Sequence, residues 1–329
     1  MKYQNLKLDK SMYKNQSGFS GALERLDPSA TYAGTDLAGL DAFERQLKRF
    51  DIKVSGASSS PISKFFSTSD SAALFPEYVS RAVAAGAKEA GIIDKIIASK
   101  TDISSPDYRS IITDLDDNDF SAPIGEGQVI PETNIVLSEN LVPLKKRGRM
   151  LRASYEAIKF QRVDVFTVAL SQVGNYIAKA QLKDAVDTLL NGGTPAQTIS
   201  ATGSGVAYQD LLNLWGAFDD FEMNVMLASP DMVLQLLAIE ELRDPAYGLH
   251  FQGTGDLSTP LGARLIKSSA VPAGKVIALD KRFALEMVTS GGVVVEYDKL
   301  IDTQLERAAI TSICGFCKLF PQAVKVLAR

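Results

Sequence analysis

The stretch VDVFTVALSQVGNYIAKAQLKDAVDTLL, residues 163–190, is followed by Asn191-Gly192-Gly193 and decides the fold of this chain. Its spacing predicts one continuous helix, roughly 42 Å long at about 1.5 Å per residue, that ends at the two glycines. Apolar residues recur along it at steps of three and four: Phe166, Leu170, Val173, Ile177 and Ala180. One stripe of the helix should therefore face the sheet of its own domain. A compact enzyme domain of this size rarely needs so long a helix, which favours an architectural role.

Composition describes a chain that can bury a real core and has no strong charge bias. The 329 residues allow two or three domains, and hydrophobic residues make up 46%, close to the globular average. With 35 Lys and Arg against 39 Asp and Glu, nucleic-acid binding is not expected to be the main activity. No apolar block marks a signal peptide at residues 1–14 or a membrane span elsewhere, and two cysteines do not make a disulfide scaffold. We therefore expect a soluble protein made in the cytoplasm.

Residues 1–75 are loosely patterned and rich in Ser, Gly and Asn, so we expect an arm that does not easily bury a core of its own. One amphipathic helix stands out within it, with Thr35 as its N-cap. Its apolar residues again recur at steps of three and four: Leu37, Leu40, Phe43, Leu47 and Phe50. Such a helix needs a surface to lie on, and we expect that surface on another subunit.

Residues 114–150 predict a long, two-stranded and highly charged hairpin. An acidic cluster (Asp114, Asp116, Asp117, Asp119) comes first, an alternating stretch follows at 133–137, and a basic run (Lys145, Lys146, Arg147, Arg149) closes it. The acidic cluster fails the calcium-loop pattern, because an EF-hand needs Gly and Glu where this chain has Asp119 and Gly125. The basic run is either an exposed strand end, a phosphate contact or a partner for an acidic patch on a neighbouring subunit. A lone hairpin is marginal in water, so it should pack on something outside its own domain.

The other segments alternate between helix and strand, which predicts an α+β protein. Phe75-Pro76-Glu77 opens a helix to about residue 90, and Ser229-Pro230 opens another at 232–242. A further helix is expected at 208–221, and residues 244–262 are Gly-rich and irregular. The predicted strands are 92–97, 107–113, 225–228, 263–267, 275–279, 284–288, 292–297, 310–320 and 323–327.

The sequence contains few residues that could form a catalytic, metal or cofactor site. Cys314 and Cys317 form a C-x-x-C motif, which is either a redox dithiol or, as we expect, two ordinary packed cysteines. A zinc site needs about four ligands, and His250 is the sole histidine, so neither a metal centre nor a histidine base is predicted. The glycine-rich stretches match no phosphate-binding fingerprint. We expect no enzymatic activity and no cofactor.

The order of these parts resembles the Hong Kong 97-type major capsid protein of tailed bacteriophages. The resemblance begins at Leu74-Phe75-Pro76-Glu77-Tyr78 and continues through a hairpin at 105–150 that is similar to the family's E-loop. The stretch at 151–157 precedes the long helix, which is similar to the family's spine helix. Later stretches, at 226–230, 262–266 and 279–283, resemble the axial domain and the return to the peripheral domain. No single stretch identifies the family; the resemblance depends on the order in which all of these stretches occur.

The resemblance implies a division of the chain into six segments. They are an N-terminal arm (1–75), a first part of the peripheral domain (76–104), an E-loop (105–150), the peripheral domain with the spine helix (151–222), an axial domain (223–288) and return strands (289–329). It implies pentamers and hexamers of this chain that close into an icosahedral shell around double-stranded DNA, without sequence-specific DNA binding or a membrane. A portal and a separate scaffolding protein are the further expected partners. The protein should be assembled in the host cytoplasm and reside in the virion.

Contacts between subunits are expected from the arm and the hairpin. The candidates are Leu37, Leu40, Phe43, Leu47, Asp116, Asp117, Asp119, Lys145, Lys146, Arg147 and Arg149. We predict no autocatalytic crosslinking, because Lys145 and Lys146 lie at the base of the hairpin and residues 291–304 contain no Asn. Two alternatives stay open: an encapsulin-like bacterial compartment with the same fold, and a cytosolic dithiol redox enzyme that uses Cys314 and Cys317.

Overall fold

The computed structural model describes residues 2–14, 18–89, 91–105, 107–113, 123–128, 135–154, 156, 160–203, 205–243, 261–300 and 305–329. The chain forms two compact units. The first comprises Met1–Ala90, Arg147–Ala178 and Val293–Ser312. The second comprises Gly91–Lys146, Lys179–Gly292 and Ile313–Arg329.

Helices and strands alternate along the chain. The described helices are α1 (Gly18–Leu26), α2 (Ala42–Arg49), α3 (Ser69–Ala72), α4 (Phe75–Glu89), α5 (Val163–Asn191), α6 (Tyr208–Gly216), α7 (Pro230–Ala238) and α8 (Glu240–Arg243). The described strands are β1 (Ser99–Asp102), β2 (Ile111–Thr113), β3 (Ile135–Leu137), β4 (Lys145–Ser154), β5 (Gln197–Ser200), β6 (Val225–Ala228), β7 (Arg264–Lys267), β8 (Lys275–Leu279), β9 (Leu285–Thr289), β10 (Val294–Leu300), β11 (Leu305–Lys318) and β12 (Val324–Ala328). In the part of the chain that the structure describes, no helix is both long and apolar enough to cross a membrane.

In the first unit, α4 packs against the first half of α5. Val79 and Val83 of α4 share one buried cluster with Leu170 and Val173 of α5. The Tyr78 hydroxyl donates to the carbonyl oxygen of Val163 (3.1 Å) and ties α4 to the start of the long helix. Strands β10 and β11 pair antiparallel in this unit, from Val294↔Thr311 to Leu300↔Leu305. The first half of the apolar stripe of α5 therefore packs on α4, in a cluster that also contains Ile310 of β11.

The N-terminal region, expected as an arm that does not easily bury a core of its own, contributes side chains to the buried cluster of this unit. Phe19, Phe43 and Phe65 lie in the same buried cluster as Val79 and Leu170. Helix α2 begins at Ala42, not near Thr35, because Asp41 accepts from the Glu44 N–H and Glu44 accepts from the Asp41 N–H. This reciprocal capping box is a local helix start that the sequence itself carries.

In the second unit, a five-stranded sheet in the order β5-β12-β8-β6-β7 is covered on both faces. Val225 and Leu227 of β6 belong to a cluster that contains Leu182 and Leu189 of α5. The alternate residues of the same strand belong to a second cluster, which contains Leu211 of α6 and Met232 of α7. Successive strand residues point to opposite faces. The second half of α5 therefore covers one face and the shorter helices cover the other.

This unit also contains a ladder of three strands and a separate two-stranded hairpin ribbon. Strand β1 pairs parallel with β9, starting at Ser99↔Glu286, and the end of β11 pairs antiparallel with β9, from Cys314↔Thr289 to Lys318↔Leu285. Strands β2 and β3 form a separate antiparallel ribbon. The segment that leads into β2 is hydrogen-bonded to Glu286 of β9, so the base of the hairpin ribbon lies next to the β1-β9-β11 ladder.

The long helix is confirmed almost to the residue, whereas several shorter predictions are wrong at their ends. Helix α5 spans Val163–Asn191 against the predicted 163–190. The predicted strand at 92–97 is instead a 3-10 turn at Ile93–Lys95, with Ile96 buried behind it. The predicted helix at 208–221 ends at Gly216, and the one at 232–242 is broken after Ala238.

Candidate interaction surfaces

The ribbon of β2 and β3 is apolar and uncovered. Ile111 pairs with Leu137, and Thr113 pairs with Ile135. Four apolar side chains of the ribbon are between 54% and 67% exposed: Ile111, Ile135, Val136 and Leu137. Because three of them are consecutive in β3, both faces of the ribbon are uncovered by the residues that the structure describes. Two strands with bare apolar faces are marginal in water, so the ribbon is suited to contact with another surface.

The base of the ribbon surrounds a buried carboxylate. Glu286 of β9 accepts hydrogen bonds from Thr101 Oγ1 (2.6 Å), Tyr108 OH (2.8 Å) and Ser110 Oγ (2.7 Å). Burial alone would raise the pKa of the Glu286 carboxyl, but these hydrogen bonds outweigh burial and lower the pKa below its usual value. Glu286 is thus an ionised acceptor in the interior. No sequence pattern indicated it, since its three hydroxyl donors lie more than 170 residues away in the sequence.

The basic run is placed on β4, and its members differ in environment. Lys145 Nζ bonds Asp184 Oδ1 of α5 at 2.9 Å, so Lys145 has an acidic partner within its own unit. In the first unit the Arg149 guanidinium lies 5.8 Å from the centre of the Tyr176 ring. Lys146 is exposed and Arg147 is half-buried. The acidic members of the predicted set, Asp116, Asp117 and Asp119, lie outside the described residues.

The apolar residues expected to contact a neighbour from the arm are mostly buried within their own unit. Phe43 and Leu47 belong to the main cluster of the first unit. Leu37 is buried with Tyr3 and Tyr32, and Leu40 packs partly against them. The premise that this segment lacks a partner in its own chain is therefore wrong. The contact of these four residues with a neighbouring subunit stays a prediction.

The long helix adds an exposed apolar stripe to the first unit. Val165, Val168 and Tyr176 are each more than half exposed. Their spacing of three and eight places them along one side of α5. The opposite side, with Leu170 and Val173, is buried against α4. A helix with apolar residues on both sides has more apolar surface than its own unit covers.

The two cysteines are not arranged as a dithiol. Both lie on β11, where a spacing of three residues points their side chains to opposite faces of the ladder. Cys314 is buried, and Cys317 donates from Sγ to Glu286 Oε2 (3.3 Å). Burial raises the pKa of the Cys317 thiol to about 12. This geometry disfavours the redox alternative. His250 lies outside the described residues.

Comparison with known proteins agrees with this architecture. A family model described as phage capsid protein matches residues 138–308, just over half of the chain. No curated protein sequence matches the chain significantly. Among solved structures, the capsid of an empty GTA particle is 13% identical, covers 73% of this chain and 89% of its own, and has a TM-score of 0.54.

Two further structures have the same fold. One is from Gordonia phage Cozz, with 16% identity, coverage of 72% of this chain and 85% of its own, and a TM-score of 0.52. The other is the holo-SrpI encapsulin complex from Synechococcus elongatus PCC 7942, with 15% identity, coverage of 72% and 86%, and a TM-score of 0.51. Identities this low show the fold alone. Together with the family match, they show that this chain belongs to the phage capsid protein family and has the Hong Kong 97-type fold.

Proposed function

We propose that this chain is the major capsid protein of a tailed bacteriophage, a structural subunit without enzymatic activity. Its copies form pentamers and hexamers that close into an icosahedral head around double-stranded DNA. Family membership supports a shell-forming role. The net charge of -4 suits a wall that contains DNA without gripping it.

The observation that carries this proposal is the uncovered ribbon. Ile111, Ile135 and Leu137 lie on one face of it, since cross-strand pairs and alternate residues share a face. Burying such side chains on a neighbouring subunit is favourable by about 25 cal/mol per Å² of apolar surface. One such contact is weak, but a closed shell repeats it in every subunit, so many copies together stabilise the particle.

Assembly of the purified protein tests the proposal. Wild-type protein should form closed particles visible by negative-stain electron microscopy. Leu137→Asp should abolish them, because a carboxylate would have to be buried at each contact. Leu137→Ile keeps the apolar character and should assemble normally. A wild-type protein that stays a small oligomer under all assembly conditions would contradict the proposal.

An encapsulin-like compartment is the second candidate, and its support is the fold shared with the SrpI encapsulin complex. The two candidates differ in what the shell contains. Particles isolated from the native host should hold nuclease-resistant DNA if the first proposal is right. Particles that hold a cargo protein and no DNA would favour the second.

Further partners follow from the first proposal. A phage head needs a portal and a scaffolding protein, and its subunits are assembled in the host cytoplasm before they become part of the virion. Of the four predicted basic residues on β4, Lys146 is the one we favour as a contact between subunits, because it is exposed. Lys145 already bonds Asp184, Arg149 lies over the Tyr176 ring, and Arg147 is half-buried. Co-expression with the neighbouring open reading frames, followed by purification of particles, would identify these partners.

A further inference from the structure

Glu286 has four hydrogen-bond donors, and none of those that the structure describes is a cation. Three are the hydroxyls of Thr101, Tyr108 and Ser110, and the fourth is the thiol of Cys317. The residue is only 4% exposed. Hydroxyl donors to an ionised carboxylate make stronger hydrogen bonds than neutral pairs do. A buried carboxylate with this set of partners is therefore a firm attachment point.

Two of the four donors, Tyr108 and Ser110, belong to the segment that leads into β2. The same two residues also hold the segment that returns from β3. The carbonyl oxygen of Tyr108 accepts from the Val142 N–H (2.9 Å), and that of Ser110 accepts from the Ser138 N–H (2.7 Å). One carboxylate on β9 thus reaches both limbs of the hairpin through two residues.

The returning limb also packs closely against Gly315 of β11. A Cβ at Gly315 of β11 would lie 2.7 Å from the carbonyl oxygen of Pro143 and 3.1 Å from side-chain atoms of Val142 and Leu144. Only a glycine lets the limb lie this close to the strand. The limb therefore rests directly on β11, which pairs with the strand that carries Glu286.

We propose that Glu286 is a positioning residue that fixes the direction in which the hairpin leaves the second unit. Its carboxylate binds Tyr108 and Ser110 to the β1-β9-β11 ladder. The carbonyl oxygens of these two residues accept hydrogen bonds from the returning limb, so that limb is restrained as well. This role of Glu286 adds detail to the proposed function. Its consequence for particle assembly depends on the proposed function being right. A ribbon whose direction is fixed in the free subunit loses less conformational freedom when it docks on a neighbour.

Hydrogen–deuterium exchange of the full-length, unassembled protein tests the clamp. The double variant Tyr108→Phe/Ser110→Ala removes the two hairpin donors, and Glu286→Gln removes the charge while it keeps the shape. Both should accelerate exchange in peptides that cover 107–112 and 138–142 by roughly tenfold or more. Thr101→Val is the matched control, because it removes a donor to the same carboxylate from β1 and should leave those peptides nearly unchanged.

Two results would overturn the inference. One is unchanged exchange of the hairpin peptides in the double variant. The other is equal acceleration throughout β9 and β11, which would mean that Glu286 stabilises the ladder itself and not the hairpin.

Particle formation is the second measurement. The double variant should give fewer closed particles, or irregular ones, under conditions where wild type and Thr101→Val assemble. Normal particles from a variant with a loosened hairpin would overturn the link to assembly. If wild type forms no particles, the proposed function fails, yet the exchange experiment still decides whether Glu286 holds the hairpin.

Discussion

Gly174 of α5 lies against the backbone of Val83 of α4, so closely that a Cβ at Gly174 would overlap the Val83 carbonyl oxygen. The approach is reciprocal, because a Cβ at Gly86 of α4 would overlap the backbone of Ser171 on α5. Each helix thus supplies one glycine where the two backbones touch. The obstacles are backbone atoms, so a side-chain rearrangement cannot relieve them.

Gly174→Ala should therefore push α4 and α5 apart and destabilise the first unit. Overpacking of this kind costs about 1–3 kcal/mol, while Ala gains up to about 1 kcal/mol of helix propensity over Gly. We expect a net loss, measured as a lower midpoint of urea unfolding. Gly216→Ala is the matched control: it also lies in a helix, and a Cβ there meets nothing within 4 Å. A Gly174→Ala protein as stable as wild type would contradict this account of the helix crossing.

The long helix could be predicted from the sequence, but its crossing partner could not. The period of apolar residues and the Asn191-Gly192-Gly193 stop are local signals, and they placed both ends within one residue. Gly174 and Val83 lie 91 residues apart in the sequence, and an isolated Gly inside a helical pattern does not say what approaches it. The sequence therefore predicts a sheet beside the stripe but not the contact with α4.

The N-terminal region was misjudged for a similar reason. Its stability depends on contacts far apart in sequence, such as the Tyr13 hydroxyl, which donates to the carbonyl oxygen of Ala73 (2.8 Å) and accepts from the Glu77 N–H (2.9 Å). Composition rich in Ser and Gly indicated too little apolar surface for a core. It could not indicate that this surface would be added to the cluster of α4 and α5.

Arg45 shows how much this region depends on one buried ion pair. Its side chain is fully buried, with Nε 2.7 Å from Asp27 Oδ2 and the guanidinium 4.4 Å from the centre of the Tyr32 ring. Arg45→Met should cost about 3–5 kcal/mol, because it leaves the Asp27 carboxylate buried without its partner. Proteolysis under native conditions should then cut within residues 18–52, and the same segment should stay intact in wild type.

Arg25→Met is the control for that change. It makes the same chemical substitution on the exposed side of α1, close in sequence to Asp27. Its stability should differ from wild type by no more than about 0.5 kcal/mol. Equal effects of the two variants would show that the buried pair is not what holds the N-terminal region.

The candidate surfaces were also predictable only in part. Alternation at 133–137 and the basic run indicated one hairpin at 114–150, but only the alternating stretch belongs to the ribbon. Strand β3 pairs with β2, which precedes residue 114, whereas β4, which carries the basic run, pairs with β11. Glu286, which holds the base of the ribbon, stands in a short strand with no distinctive pattern around it. The ion pair of Lys145 with Asp184 could not be predicted, because a sequence gives charges without distances.

The thiols should be unreactive in the folded protein. Burial raises the pKa of Cys317 to about 12 from 9.0, which at pH 8 lowers its thiolate fraction by roughly a thousandfold. Alkylation by iodoacetamide at pH 8 should therefore be slower in native protein than in urea by at least that order. Cys314→Ala/Cys317→Ala should still assemble. A fast-reacting Cys317, or a dithiol activity lost in the double variant, would favour the redox alternative instead.

Asp280 should make the second unit sensitive to acid. It is fully buried and accepts from the Glu222 N–H (3.0 Å), Asn224 Nδ2 (2.8 Å) and the Arg282 guanidinium (2.8 Å). Burial alone would raise its pKa, but these bonds outweigh burial and lower the pKa from 3.8 to about 2. The unfolded chain therefore binds a proton at Asp280 more readily than the folded chain does. The ionised carboxylate stabilises the folded state by at most about 2 kcal/mol, and this stabilisation is complete above pH 4.

As the pH falls from about 4 toward 2, that stabilisation should be lost, because both states then carry the protonated carboxyl. Asp280→Asn should lower the free energy of unfolding in urea at pH 7, and its difference from wild type should shrink as the pH falls below 4. Asp219→Asn, at an exposed aspartate of the same unit, should show no such change. A difference between Asp280→Asn and wild type that stays constant from pH 7 to pH 3 would mean that Asp280 acts through shape and hydrogen bonding without its charge.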